Sequence, residues 1–505
     1  MNELFPAGDW VERFENEQGS IATPVTTDEF SVLTATSSYA VPNLLLPPQL
    51  DNHGNYIVSL GQICRWLGQQ AESLGVEIYP GFAASELLYR EDGSVKGVAT
   101  RDVGLDKHGI PKATFERGVE LVARQTFLAE GARGSCSEEL IKKFHLRDGK
   151  APQTYALGIK EVWEIPEEHH KPGFVQHTTG FPLQSSITDK VFGGSFLYHQ
   201  APNLILVGLV VGLDYANPYL NPYQEFQKWK THPAIKTHFE GGTCISYGAR
   251  VLNEGGYHSI PKLTAPGAAL IGCSAGFLNA IKIKGSHAAI KSGMLAAEAA
   301  FEALKDGAAV AETTELDESL PSVELTCYED SVNKSWIKEE LFEVRNCHEA
   351  FFRWGVAGGL IYTGLTTHIT KGREPWTLKH TIRDADTTGK AADFVPISYP
   401  SADGVLTFDL LTNLQRSGTY HADDQPSHLR IKSEYKDIPK SVSLHTYGAP
   451  ESRFCPAGVY EYVDEKLVIN SQNCIHCKCC SIKMPSEYIH WTVPEGGGGP
   501  QYQVM

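Results

Sequence analysis

The sequence NCIHCKCC, residues 473–480, constrains the fold more than any other stretch of the chain. It places Cys474, Cys477 and Cys480 in a C-x2-C-x2-C run, and Cys455 lies upstream as a fourth thiol. Four cysteine thiolates in such a run are the usual ligands of an iron–sulfur cluster, so the spacing favours a [4Fe–4S] centre. Structural zinc is the competing interpretation, although zinc sites usually divide their cysteines into two C-x2-C pairs.

The residues between these ligand positions are less informative. Cys479 does not fit the spacing, and we interpret it as a spectator thiol. His476 and Lys478 are expected to be exposed loop residues. The chain has 11 cysteines, of which five lie at 455–480 and the others are scattered along the sequence. Scattered cysteines are typical of small buried side chains and not of a disulfide scaffold.

The composition is that of an ordinary globular protein. The chain has 505 residues, of which 42% are hydrophobic and 21% charged. These values exclude collagen, coiled coil and general disorder, and the length suggests about three domains. The net charge of −16 argues against a nucleic-acid partner, because such proteins carry a basic surface.

The sequence predicts neither a membrane-spanning helix nor an N-terminal targeting peptide. No apolar stretch is long enough to predict a membrane-spanning helix. The first residues are acidic, which is the opposite of a transit peptide, and they lack the apolar region of a signal peptide. We therefore expect either that the protein needs no targeting peptide or that the natural start of the chain lies upstream.

The first part of the chain mixes irregular and periodic segments. Residues 1–50 contain several prolines and are expected to be irregular. Apolar residues at helical spacing predict a helix over 60–74 and a short strand at 76–79. A turn at 91–94 predicts a hairpin, and a further strand is expected at 120–128.

The middle of the chain reads as a sheet inserted into an α/β unit. Strand-like stretches at 155–162, 193–199 and 204–213 predict a mainly antiparallel sheet. The α/β pattern returns at 268–276 and is followed by a helix over 287–304. Residues 306–322 are expected to form a surface connection.

Two strand ends suggest contact with a flavin. Small residues at 129–131 and 266–274 allow the backbone to approach a phosphate or ribityl group, so Gly131 and Gly272 are the candidate contacts. A tight turn is the competing interpretation of each. The chain contains no G-x-G-x-x-G loop, which would hold the FAD pyrophosphate.

Taken together, these motifs resemble the electron transfer flavoprotein–ubiquinone oxidoreductase family. The resemblance covers essentially the whole chain, and the tail motif is very specific. The segments that carry it are HGNYIV (53–58), GGSFLYH (193–199), GLDY (212–215), EPWTLKH (374–380), FCPAGVY (454–460), NCIHCK (473–478) and PEGGGGP (494–500).

The resemblance implies a fold, cofactors and partners. It implies a two-domain FAD-binding fold, present in part, with an inserted quinone-binding sheet and a ferredoxin-like [4Fe–4S] region. It also implies an oxidoreductase that takes electrons from reduced electron transfer flavoprotein and reduces ubiquinone, using FAD and the cluster. Such enzymes feed electrons from fatty-acid and amino-acid oxidation into the respiratory chain at the matrix face of the mitochondrial inner membrane, or at a bacterial membrane.

Site residues follow from the same resemblance. Cys455, Cys474, Cys477 and Cys480 match the cluster ligands. Gly193 and Gly194 match the glycine pair that meets the quinone ring, and the aromatic stretch 350–365 matches a membrane-facing patch. Roughly a hundred N-terminal family residues are absent, so the alternative is a flavin-free remnant that only binds an iron–sulfur cluster or zinc.

The expected domain division follows from these segments. It comprises an FAD-binding part (1–151), a ubiquinone-binding domain (152–245), a returning FAD-binding segment (246–305) and a C-terminal region (306–505) that contains the membrane-facing patch (350–365) and the cluster domain (450–505).

Overall fold

A seven-stranded sheet forms the centre of the protein. The computed structural model describes residues 1–186, 188–305, 322–502 and 504–505. In spatial order the strands are Thr243–Asn253, Tyr155–Glu164, Leu204–Gly212, Gly193–Gln200, Phe174–Gly180, Thr27–Leu33 and Ser38–Val41. All neighbours pair antiparallel except Phe174–Gly180 and Thr27–Leu33, which run parallel. The expected mainly antiparallel sheet is therefore confirmed.

The sheet reaches beyond the segment expected from the sequence. Thr27–Leu33 and Ser38–Val41 add two strands from the stretch 1–50, which the prolines had suggested was irregular. That expectation is wrong. Thr27–Leu33 pairs with Phe174–Gly180, which lies far away in the sequence, and a local sequence pattern cannot predict such a pairing. At the other end, strand Thr243–Asn253 crosses the expected boundary at residue 245. The division into domains stays a prediction.

A smaller α/β unit carries the two small-residue strand ends. Strand Thr126–Leu128 pairs in parallel with Ala268–Leu270, which also pairs with Thr264–Ala265. The helix Ser286–Leu304 follows, close to its expected range. The hairpin is confirmed as Ala84–Tyr89 and Val95–Thr100, joined by Glu120–Val122 in a third strand.

Two local expectations are wrong. The strand expected at 120–128 is broken, because Glu120–Val122 and Thr126–Leu128 join different sheets. Residues 76–79 form no strand. None of the described strands pairs with this apolar run, and the side chains of Val76, Ile78 and Tyr79 are accordingly exposed. The surface connection expected at 306–322 lies outside the described residues except at Ser322.

Helices surround these sheets, and the elements not yet given complete the fold. The remaining α-helices are Trp10–Gln18, Leu60–Ser73, Ser135–Lys143, Pro222–Lys230, Pro233–Lys236, Gly272–Ala275, Thr326–Lys334, Trp336–Glu343, Cys347–Leu365, Leu410–Gln415, His445–Tyr447, Glu451–Phe454 and Cys480–Lys483. Two-stranded pairs are Thr23–Pro24 with Tyr56–Ile57, Val103–Leu105 with Pro111–Glu116, Leu429–Ile431 with Ile489–Trp491, and Tyr460–Val463 with Lys466–Ile469. None of the helices in the described part of the chain has the length and apolarity needed to cross a bilayer.

The C-terminal region shares the core of the large sheet. Leu157 and Leu209 of the sheet belong to the same buried cluster as Phe454 and the C-terminal cysteines. Beside them lies a fully buried ion pair, in which Lys230 Nζ is 2.9 Å from Glu161 Oε2. Asn413, from the C-terminal region, donates to the same carboxylate at 2.6 Å. The cysteine region is therefore fixed to the sheet by both apolar and polar contacts.

Candidate functional site

The four cysteines expected to be ligands come together in one buried cage. Cys455, Cys474, Cys477 and Cys480 are each no more than 8% exposed and line one small cavity with Tyr460. Burial raises the pKa of the Cys455 thiol to about 12 and also raises the pKa of the other three. Four such thiols become thiolates when they bind a metal centre, so this donor set suits a metal cluster.

The backbone of the loop is shaped to surround the thiols. His476 and Lys478 both adopt positive φ, 57° and 71°, a conformation that non-glycine residues rarely adopt. The turn at His476 directs its backbone N–H to Cys474 Sγ at 3.4 Å. Backbone N–H groups of residues 457–459 lie against the Cys455 sulfur in the same way. Donors directed at sulfur stabilise thiolate ligands, and backbone strain of this kind is common at functional sites.

An orphaned hydroxyl gives a further test of the cluster interpretation. Tyr460 is 4% exposed and lies beside the Cys480 thiol. Its hydroxyl has no partner at hydrogen-bonding geometry among the described residues. A buried hydroxyl without a partner costs about 1–3 kcal/mol, and the sulfur atoms of a cluster would supply an acceptor. The residues therefore fit a cluster with four cysteine ligands.

The expectation that His476 and Lys478 are exposed is wrong. Lys478 is only 6% exposed, and its Nζ lies 3.1 Å from the centroid of the Trp491 ring. His476 is half-buried against Trp491 and His421. The tail that contains Trp491 folds back over the loop, which the sequence pattern did not reveal. Cys479, interpreted as a spectator, is fully buried and lines the same cavity as the four candidate ligands.

A second, larger cavity lies beside the glycine pair. It has a volume of about 210 Å³ and a mainly apolar wall that includes Gly193, Gly194 and Phe192. Gly193 has φ 145°, and a Cβ there would lie 2.2 Å from the Val210 carbonyl oxygen. A Cβ at Gly194 would lie 2.5 Å from the carbonyl oxygen of Thr178. Only glycine lets the neighbouring strands approach this closely.

The mouth of this cavity is apolar and exposed. Leu45, Phe351 and Leu360 line the cavity, and the last two belong to the helix Cys347–Leu365, which bends at Gly355. Around them lies an apolar patch whose members are exposed by about half or more: Leu44, Leu45, Trp354, Ile361, Leu365 and Ile369. The aromatic stretch 350–365 is thus divided, with Phe351 facing the cavity and Trp354 facing outward.

The cavity also contains polar groups that the sequence did not single out. His177 lines the wall, and burial lowers its pKa to about 3, so the ring is neutral. Its Nε2 lies 2.8 Å from the Tyr198 hydroxyl. Glu254 also lines the wall and directly follows the strand Thr243–Asn253. The only signal for it was an acidic residue at a strand end, before Gly255 and Gly256.

The two glycines expected to contact a flavin lie at one sheet edge. Leu128 and Leu270 are partners in parallel strands, so Gly131 and Gly272 follow at the same end. Ser274 Oγ donates to the Gly131 carbonyl oxygen at 3.4 Å. Both glycines have positive φ, 76° and 56°. A Cβ at Gly131 would meet only the Arg250 side chain, at 3.7 Å, so the backbone at Gly131 is open to the close approach that a flavin needs. A Cβ at Gly272 would lie 3.2 Å from the Ala289 Cβ, so that position is more crowded.

Two family models match parts of this chain. Residues 155–252 match the family model described as "ETF-QO, ubiquinone-binding". Residues 404–503 match the model described as "Electron transfer flavoprotein-ubiquinone oxidoreductase, 4Fe-4S". The first range contains the glycine pair, and the second contains the four candidate ligands. The second match disfavours the zinc interpretation.

Relatives that align over the whole chain are named electron transfer flavoprotein-ubiquinone oxidoreductase, as in the second family model. The mitochondrial electron transfer flavoprotein-ubiquinone oxidoreductase of Homo sapiens is 52% identical, over 100% of this chain and 80% of that relative. The mitochondrial proteins of the same name from Oryza sativa and Dictyostelium discoideum are 51% and 50% identical over 100% of this chain, and 83% and 82% of each relative is covered. Among solved structures, a geranylgeranyl bacteriochlorophyll reductase-like protein from Thermoplasma acidophilum aligns with a TM-score of 0.48 and 14% identity, over 70% of this chain and 79% of that one.

Proposed function

The chain belongs to the electron transfer flavoprotein–ubiquinone oxidoreductase family, and we propose on this premise that it transfers electrons from reduced electron transfer flavoprotein to ubiquinone. The main support for the proposal is that both sites are built on one sheet. A buried cage of four cysteines and an apolar cavity beside Gly193 and Gly194 lie on the same sheet. The flavin-free remnant is not favoured, because the likeness to the family extends over the full chain.

The cage is the proposed site of a [4Fe–4S] cluster, held by Cys455, Cys474, Cys477 and Cys480. Such a cluster supplies one-electron redox chemistry when bound. The protein's part is to bury the site and to direct hydrogen-bond donors at sulfur. The donors include the backbone N–H groups of His476 and of residues 457–459, together with the Tyr460 hydroxyl.

FAD is the second proposed cofactor, with Gly131 and Gly272 as backbone contacts. Their support is their common position at one sheet edge and the membership of the chain in the family. FAD supplies two-electron chemistry when bound, which matches the two electrons that a quinone takes. The helix Ser286–Leu304 starts nearby, and no side chain among the described residues caps it, so its first N–H groups can donate hydrogen bonds to an anion.

We propose the large cavity as the quinone site and the apolar patch as its entrance from a membrane. A quinone with an isoprenoid tail is soluble in lipid, so an apolar mouth is required for its passage. The free-energy cost of exposing large apolar side chains to water is removed when these side chains lie in the headgroup boundary of a bilayer. The relatives are mitochondrial, which supports a mitochondrial location for this protein. We propose further that it lies at the matrix face of the inner membrane, as the family resemblance implies.

The proposal is tested by an anaerobic assay of the purified protein. Reduced electron transfer flavoprotein is mixed with a short-tailed ubiquinone analogue, with and without a catalytic amount of this chain. We expect ubiquinol to form only when the chain is present, in a ratio of one ubiquinol per two electrons consumed. Equal ubiquinol formation without the chain, or none with it, would refute the function.

A further inference from the structure

Quinone reduction requires protons as well as electrons, and a carboxyl group stands in the cavity wall. This inference rests on the proposed function. Glu254 lines the cavity and is only 5% exposed. Its Oε2 accepts no hydrogen bond from the described residues. A buried carboxylate oxygen with a purely structural role usually accepts a hydrogen bond, so the lack of one at Glu254 Oε2 indicates a different role.

A series of titratable side chains leads from Glu254 toward the surface. His348 Nε2 lies 3.7 Å from Glu254 Oε2. The rings of His348 and His380 have centroids 6.4 Å apart, a gap that one water molecule can bridge. His380 Nδ1 lies 3.1 Å from Glu349 Oε2, and Arg353 Nε donates to Glu349 at 2.8 Å. The Arg353 side chain is 48% exposed, so the series ends at solvent.

Orphaned polar atoms lie along this series. Both carboxylate oxygens of Asp214 are buried, with no hydrogen-bond partner in the described ranges. Asp214 interacts electrostatically with Glu254, His348 and His380, so it lies among all three. The Nε2 of His380 is likewise buried without a partner. Such atoms are the usual places for ordered water, which would complete a hydrogen-bonded path.

We propose that Glu254 is the acid that protonates a carbonyl oxygen of the bound quinone, with His348, Asp214, His380 and Glu349 as its route to solvent. The O–H bond of the Glu254 carboxyl breaks, and a new O–H bond forms at the quinone oxygen. Two electrons from reduced electron transfer flavoprotein convert the quinone to the hydroquinone. The Glu254 carboxylate then regains a proton through His348 from the Arg353 end, while the second quinone oxygen takes its proton from water at the cavity mouth.

The electrostatic surroundings suit a proton donor. Burial, together with the negative charges of Asp214 and Asp384, raises the pKa of Glu254 well above its ordinary value. The raised pKa favours the protonated carboxyl, which is the form that can donate a proton. His348 is the imidazole that faces it, and burial lowers the pKa of that ring. Lys483, the nearby cation, is engaged with the Tyr215 and Asp384 carbonyl oxygens.

The test compares two electron acceptors in the holoenzyme. Ubiquinone needs protons, whereas ferricyanide accepts one electron and no proton. We expect Glu254→Gln to lower electron-transfer-flavoprotein-dependent ubiquinone reduction by about 100-fold, the usual size of a general-acid effect. Ferricyanide reduction should stay within about twofold. Glu254→Asp should restore part of the quinone activity with a shifted pH profile. Glu225→Gln, at another buried glutamate, is the matched control and should retain both activities.

Each outcome of this comparison supports or refutes the proposal that Glu254 donates a proton to the quinone. Selective loss with ubiquinone, rescued by Asp, supports the proton-donor role. Equal loss with both acceptors would show a structural role, and unchanged ubiquinone reduction would show that Glu254 is not the donor. Either result overturns this inference while the proposed function stands. A wild-type protein that does not reduce ubiquinone at all would overturn both.

Discussion

The backbone N–H of Val251 donates to the carbonyl oxygen of Cys477 at 3.1 Å. Val251 lies in the strand Thr243–Asn253, and the next residue, Leu252, lines the quinone cavity. The loop of the cysteine cage is therefore bonded directly to the strand that forms a wall of the cavity. This contact fixes the proposed electron-transfer centre relative to the proposed acceptor site.

The cysteine cage gives the first prediction. Cys477→Ala should abolish cluster assembly, because the remaining three thiols leave one iron without a protein ligand. Iron and acid-labile sulfide should fall to background in the anaerobically purified protein. Cys479→Ala is the matched control, since the side chain is equally buried but does not fit the spacing, and it should keep both. Cluster loss in the Cys479 variant instead would assign the fourth ligand differently.

The glycine pair gives the second prediction. Gly194→Ala places a Cβ 2.5 Å from the Thr178 carbonyl oxygen, so the strand must shift. We expect a loss of about 1–3 kcal/mol in the free energy of unfolding and a raised KM for the quinone. Gly158→Ala, in the same sheet, meets nothing closer than 3.5 Å and serves as the control. Denaturant unfolding and steady-state kinetics measure the two effects, and equal behaviour of the variants would contradict this account of the pair.

The buried ion pair gives the third prediction. Lys230→Met leaves the Glu161 carboxylate charged and fully buried, which typically costs about 3–5 kcal/mol. The midpoint of urea unfolding should therefore fall markedly. Lys228→Met, on the same helix and partly exposed, should change stability by no more than about 0.5 kcal/mol. A midpoint for Lys230→Met close to that of the control would mean that the pair does not stabilise the fold.

The apolar patch gives the fourth prediction. Trp354→Glu combined with Ile361→Glu should release the protein from liposomes, because charges in a bilayer boundary are strongly unfavourable. Val395→Glu combined with Val405→Glu adds the same charge at exposed positions outside the patch. Sedimentation with vesicles of mitochondrial lipid composition measures the bound fraction. Retention of the first variant at the level of the control would rule out this patch as the membrane contact.

The sequence predicted the parts of the site that depend on local spacing. The short loop predicted that Cys474, Cys477 and Cys480 can face one centre, and the three side chains line one small cavity. The middle strands were also predictable, since Leu204–Gly212 is an uninterrupted apolar run. The quinone contact proposed for Gly193 and Gly194 came from resemblance to a family, and the structure adds that they line a cavity.

What the sequence did not predict depends on contacts between distant segments. Strand Thr27–Leu33 is defined by its pairing with Phe174–Gly180, so its own residues gave little signal. Lys478 is buried because the distant Trp491 folds over it. Glu254 faces His348 only because the helix Cys347–Leu365 packs against the end of the strand Thr243–Asn253. Local patterns cannot report any of these contacts.

In the proposed function, electrons pass from electron transfer flavoprotein through this protein to a quinone. The most direct test is electron paramagnetic resonance of the anaerobic protein, first mixed with reduced electron transfer flavoprotein and then with a ubiquinone analogue. We expect the signal of a reduced iron–sulfur cluster to appear on the first addition and to disappear on the second. A cluster that the flavoprotein does not reduce, or that the quinone does not reoxidise, would contradict the account.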